Sequence, residues 1–237
     1  MVDLKKLRKE NLKLTRQAVK ESVTRDLLII QASNSVEELN TVINMLVNRL
    51  REWYGYSNPE FTRITYSNEE FAANLFSAKK EVGSMGADFS KPDLDVVLDF
   101  AKQVNSLFEF RKELLVYVEK SMKEVCPNLC AVASQDIGAR LLSLAGSLKN
   151  LSKMPSSTIQ LLGAEKALFR HLHGEGKSPK HGIIVNHELV KTSPLKEKGR
   201  AARVIADKIA IAAKVDYFKG VFVGDKLRAE LDKRFKK

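Results

Sequence analysis

The sequence predicts an all-α protein: a long, coiled-coil-like helical hairpin followed by a compact helical domain. Three observations predict it. Neither glycine nor proline interrupts residues 1–54 or 93–126. Apolar residues in both stretches recur at spacings of three and four, the period of an amphipathic helix. No strand-like run exceeds the short Gly182–Val185 segment.

Taken in order, Leu4, Leu7, Leu12, Leu14, Val19, Val23, Leu27, Leu28 and Ile30 predict a first amphipathic helix from Met1 onward. Ser33-Asn34-Ser35 offers a break and an N-cap, with Glu37 and Glu38 in the first turn of a second helix. That helix carries Leu39, Val42, Ile43, Leu46, Val47 and Leu50 to Trp53-Tyr54, where Gly55 and Pro59 end it. Ser67-Asn68-Glu69-Glu70 reads as a cap on a short helix through Phe71, Leu75 and Phe76, followed by a turn region at Gly83, Gly86 and Pro92. Pro92-Asp93 opens a helix that runs to Pro127, about 50 Å at 1.5 Å per residue. So long a helix needs another long helix to bury its stripe, so a hairpin is expected, with residues 60–90 as its return arm and tip.

After Pro127 the texture changes. Ile137, Leu141, Leu142, Leu144, Ala145 and Leu148 predict a helix whose small residues Gly138, Ala139, Ala145 and Gly146 permit close approach. Leu151–Ser157 reads as a turn, with Pro155 opening a helix over Ser157–His173 and a loop over Gly174–Pro179. Arg200–Phe218 reads as a basic helix with Val204, Ile205, Ile209 and Ala212 inward, and a last helix covers Gly224–Lys236. Two regions follow: 1–127, helical and architectural, and 128–237.

Charge separates these regions. The chain carries +11 in total; residues 1–127 hold 19 Lys and Arg against 19 Asp and Glu, while 128–237 hold 21 against 10. A neutral region joined to a basic one implies one part for protein architecture and one for an anionic partner. Hydrophobic content of 44% and charged content of 29% exclude a disordered tail. No window approaches the roughly 18 apolar residues of a membrane span, so no membrane partner is expected and the chain reads as soluble and intracellular.

Catalytic and metal chemistry find no support in the residues. Cys126 and Cys130 bracket a proline that starts a new helix, with no histidine nearby, and read as buried reduced thiols. His171 and His173 point about 200° apart on a helix and cannot share a metal. No phosphate loop of Walker type, dinucleotide fingerprint or nucleophile elbow is present, so neither an enzyme nor a cofactor is expected. The cations are better organised. Lys153 stands at a helix junction, Lys166 and Arg170 lie one turn apart, and Lys177 and Lys180 straddle Pro179. Arg200, Arg203 and Lys214 lie on the later helix, where Arg200 and Arg203 can form a paired phosphate clamp. Few aromatic residues stand near them, which favours a folded RNA read through backbone and shape over stacked single strands. The rival reading is a coiled-coil interaction module whose basic half is solubilising.

The stretches SLAGSLKNLSKMPSSTIQLLGAEKALFRHL (Ser143–Leu172), PKHGII (Pro179–Ile184) and KGRAARVIADKIAIAAKVDYF (Lys198–Phe218) resemble the signature of the Nop-domain family. That family supplies the scaffolds of box C/D ribonucleoproteins, and the likeness is nearest its archaeal members; a spliceosomal relative shares the RNA mode. Arg25–Gly55 and Arg111–Leu129 resemble the family's coiled-coil region, which pairs two scaffold copies. The resemblance implies a non-catalytic scaffold whose 128–237 Nop domain grips a kink-turn guide RNA together with a ribosomal-type kink-turn-binding protein. In that particle, which guides RNA ribose 2′-O-methylation, 1–127 forms a homodimer. It implies RNA contacts at Lys153, Ser156, Lys180, Arg203 and Lys214; charge and spacing add His181, Arg200, Lys166 and Arg170. The implied location is cytoplasmic in an archaeal-type cell, nucleolar or nuclear in a eukaryote. The chain departs from the family in three ways. It begins at the first coiled-coil helix without the domain that docks fibrillarin, which puts fibrillarin recruitment by this chain in doubt. Its hairpin tip over residues 57–92 is short and divergent, and Val185 and Leu195 stand where archaeal relatives place aromatic residues.

Overall fold

The computed structural model describes residues 4–64 and 67–235, and every described element is helical. In order they are α1 (Leu4–Ser22), α2 (Arg25–Gly55), α3 (Pro59–Ile64), α4 (Asn68–Asn74), α5 (Lys91–Val125), α6 (Pro127–Ala133) and α7 (Gln135–Ala145). There follow α8 (Leu148–Lys153), α9 (Ser156–Leu161), α10 (Glu165–Leu172), α11 (Glu188–Thr192), α12 (Lys198–Tyr217) and α13 (Gly224–Phe235), with 3₁₀ turns at Leu75–Ser77 and Ile183–Asn186. The all-α expectation holds. Met1 and Lys236, the expected ends of the first and last helices, lie outside the described residues.

Contacts divide the chain into Asn34–Tyr117 and the remainder. Asn34–Tyr117 is a hairpin in which α5 itself is the arm that returns beside α2. Trp53 lies against Phe100 at 6.4 Å, and Arg111 donates to Asn40 at 3.0 Å, pairings that fix an antiparallel register. Residues 60–90 therefore form the tip rather than a return arm. Its α4, capped as expected by the Ser67 hydroxyl, drives Phe71 and Ala72 into the α2–α5 seam, and Leu75 follows from the 3₁₀ turn.

The seam keeps a three-four spacing: Ile43, Val47, Leu50 and Tyr54 on one helix, Val97, Ala101, Val104 and Phe108 on the other. The expected break at Ser33-Asn34-Ser35 does not occur: α2 runs through it, and buried Ile29, Ser33, Val36 and Ile43 keep the helical period on both sides, which outweighs the local preference for a cap. The interruption falls instead at Val23-Thr24, where Leu27 N–H bonds back to the Thr24 carbonyl.

The second unit packs α12 against α6, α8 and α9, with α13 on α6. Pro127 opens α6 as expected, and its first amides meet an unusual partner. Asp216 of α12 accepts from the Asn128 and Leu129 amides at 3.1 and 2.8 Å and from Asn128 Nδ2 at 2.8 Å. Asn128 Oδ1 in turn accepts from Val223 N–H at 2.7 Å, so one buried pair ties together α6, α12 and the approach to α13. Burial pushes the Asp216 carboxyl up while these donors hold it down.

Gly138 lets α7 approach closely: a Cβ there would lie 2.8 Å from the Met122 methyl. Gly146, in the left-handed conformation at φ 78°, ends α7, so Leu151–Lys153, expected as turn, are instead the last residues of α8. Cys126 and Cys130 are unbridged, and burial pushes both thiols up, Cys130 to about 12.

Candidate nucleic-acid interface

The helix expected over Ser157–His173 is two helices, and the break between them builds the candidate site. Gly163 takes φ 85°, which a side chain would disfavour, and its N–H is held by Glu165 Oε1 at 2.7 Å. The backbone of the Lys180 loop then comes alongside. Gly182 N–H donates to the Gln160 carbonyl and Ile183 N–H to the Leu162 carbonyl, both at 2.8 Å. A Cβ on Gly182 would fall on the Leu162 carbonyl oxygen, so only glycine allows this approach. Gln160 Nε2 completes the clamp by donating to the Lys180 carbonyl at 2.6 Å.

Held in this way, the stem of Lys180 lies against α12. A Cβ on Gly199 would meet the Lys180 Cβ at 3.3 Å and its Cδ at 3.5 Å. Gly199 and Arg203 are one turn apart on α12, and Lys214 follows Arg203 by eleven residues. That is about three full turns, so Arg203 and Lys214 share a face about 16 Å apart. Lys180, Arg203 and Lys214 are all exposed, and among the described residues none enters an ion pair. Lys208 of the same helix is instead committed to Glu230.

The remaining candidates occupy different settings. Lys153 is the exposed last residue of α8 and Ser156 the half-buried first residue of α9, both elements packed on α12. His181 is half-buried beside the Gly182 clamp. Arg200 turns toward the end of α13, lining a cavity of about 290 Å³ with Glu197, Val204, Arg234 and Phe235. Lys166 and Arg170 sit on α10, which buries none of its residues and leaves Phe169 63% exposed. The structure thus brings Lys180 to the α12 face, and leaves Lys166 and Arg170 on a helix none of whose residues is buried. Sequence reasoning missed Gln160, Gly163, Gly182 and Gly199, which carry no charge yet decide where Lys180 stands. A glycine inside a helical pattern at 163 and another within the PKHGII stretch at 182 were the available signals.

Comparison with known proteins agrees with this architecture. The family model described as Nop, snoRNA binding domain, fibrillarin, matches residues 72–237. An uncharacterized NOP5 family protein of Methanocaldococcus jannaschii is 40% identical over 256 residues, covering 97% of this chain and 61% of the relative. Nucleolar protein 56 of Dictyostelium discoideum is 41% identical over 234 residues, covering 86% of this chain and 43% of its own length. The human nucleolar protein 56 is 36% identical over 252 residues, 93% of this chain and 42% of its own. The chain therefore spans roughly two fifths to three fifths of these relatives. A solved fibrillarin/Nop5p complex aligns with a TM-score of 0.61 at 26% identity, over 98% of this chain and 77% of that one. With its family model matched over most of its length, the chain belongs to the Nop family.

Proposed function

We propose that the chain is a non-catalytic scaffold of a box C/D-type ribonucleoprotein that guides ribose 2′-O-methylation of RNA. Residues 128–237 grip a kink-turn guide RNA together with its ribosomal-type binding protein, and residues 1–127 pair with a second copy. The observation that carries this reading is the placement of Lys180 on Gly199, one turn from Arg203 and on a helix whose same face bears Lys214. Cations fixed on rigid backbone at these spacings suit the phosphates of a folded RNA, which position a protein without stacking. Lys153 and Ser156 extend the contact from the α8–α9 junction, with His181, Arg200, Lys166 and Arg170 at its margins. The methyl transfer belongs to a partner. Fibrillarin enters on the strength of the solved fibrillarin/Nop5p complex, whose fold this chain shares, and a pull-down with this chain decides whether the contact is its own. The eukaryotic relatives named for the nucleolus support a nucleolar site in such cells, and a cytoplasmic one belongs to an archaeal-type cell.

A gel shift tests the proposal. Strong binding to the preformed RNA–protein complex and weak binding to either component alone is the expected result. Equal affinity for random duplex, with a steep salt slope, would make the contact generic electrostatics.

A further inference from the structure

The neutral charge of residues 1–127 hides a second segregation. α1 carries seven Lys and Arg against two Glu, while residues 23–127 carry 12 against 16. On a helix at 100° per residue, Lys5, Lys6, Lys9, Lys13, Arg16 and Lys20 fall within one arc of about 100°. Glu10 and Glu21 lie off that arc, and Glu21 is engaged by Gln17 Nε2 at 2.8 Å. Lys9, Lys13, Arg16 and Lys20 thus place one cation per turn along about 16 Å, and among the described residues none of the four enters an ion pair.

Nothing in α1 is buried, although it runs for 19 residues. A helix of that length without packing is marginal in water, and like charges three and four apart weaken it further. The device that removes this repulsion is a polyanion laid along the basic arc. An acidic protein surface would also draw cations, but a helix seated in a protein groove leads with its apolar face. Here Leu4, Leu7, Leu14 and Ala18 lie on the side opposite the arc, which itself contains no apolar residue.

We propose that α1 is a second RNA-binding element, tracking the phosphate backbone of a duplex stem with Lys9, Lys13, Arg16 and Lys20. The proposal rests on the scaffold reading for the RNA it would meet, and adds contacts outside the α12 face. The probe is a kink-turn RNA carrying a flanking duplex of about 12 base pairs, preassembled with its ribosomal-type protein. A second RNA trimmed to the kink-turn serves for comparison. The variants of the full chain are Lys9→Gln/Lys13→Gln/Arg16→Gln/Lys20→Gln, an all-arginine counterpart at the three lysines, and Leu7→Gln/Leu14→Gln.

On the long-stem RNA the glutamine variant should lower the slope of log K against log salt by about 3, at 0.7–0.9 per lost phosphate contact. The arginine counterpart should keep the wild-type slope, and the trimmed RNA should not distinguish the proteins. A glutamine variant with the wild-type slope on the long stem overturns the proposal. So does a loss confined to the leucine variant, which would make α1 a protein-docking helix. If the wild type prefers neither preassembled complex to random duplex, the scaffold reading fails instead; the slope difference on that duplex still shows whether α1 binds phosphate.

Discussion

Cations serve opposite ends in the two halves of this molecule. In the hairpin, Arg51 is spent on architecture. It donates to the Ser67 and Thr62 carbonyls at 3.1 and 3.3 Å and stacks over the Phe71 ring at 4.3 Å. Arg111 likewise bonds Asn40 and Glu69 and sits over Phe108 at 5.3 Å. In the other unit Lys180, Arg203 and Lys214 are exposed and, among the described residues, make no ion pair. The lesson is that counting charge locates neither function nor stability; what each cation already touches does.

The comparison can be broken first at its structural anchor. Asp216→Ala leaves two buried amides and the Asn128 side chain without an acceptor. It should cost about 3–5 kcal/mol, read as a lower denaturation midpoint. Gly182→Ala should cost about 3 kcal/mol by driving a methyl onto the Leu162 carbonyl, and should weaken RNA binding with it because the Lys180 loop is displaced. Arg51→Leu should destabilise the hairpin by about 2 kcal/mol and leave affinity for the preassembled RNA complex unchanged. Arg203→Ala should do the reverse. It should lower affinity by about 1–3 kcal/mol, with a stability change inside 0.5 kcal/mol. An Arg51 variant that lost RNA affinity without unfolding would erase the distinction.

The smallest effect is a single proton. Buried His187 accepts from Leu189 N–H at Nδ1, 3.2 Å away, while Nε2 lies 2.9 Å from the Val132 carbonyl. This is the neutral ring, with its hydrogen on Nε2. Burial lowers its pKa; the Val132 bond opposes that, nearby Arg228 adds to it, and Glu188 and Asp232 oppose it. The unfolded chain therefore takes up this proton more readily than the folded one. Stability is complete above the ordinary value of 6.5 and falls as the pH drops through 6.5 toward the folded value. Denaturation of wild type and His187→Gln between pH 7.5 and 5.5 should show a loss on acidification only in the wild type.

How much was legible varies with the kind of signal. α5 was readable almost to the residue because Pro92 and Pro127 mark both its ends. The break in α2 was misplaced because Ser-Asn-Ser has the local preference for a cap, yet the helical period of the buried residues continues on both sides of it. The division of α9 from α10 was missed because one glycine in a helical pattern reads as tolerated. Its role depends on a strand of backbone arriving from residue 182. The site shows the same divide. Lys180, Arg203 and Lys214 could be read from residue type and from the family resemblance, whereas helical spacing paired Arg203 with Arg200, which the structure turns toward the end of α13. The seat of Lys180 on Gly199 is a tertiary contact that no local pattern announces.

The most direct test is the affinity of Lys180→Glu and Lys214→Glu, singly and combined, for the preassembled kink-turn RNA and its binding protein, with thermal midpoints measured alongside. If these residues share one RNA-facing surface, each should weaken binding at least about tenfold while the midpoint stays in place. Wild-type affinity in both single variants, with both proteins folded, would contradict the account.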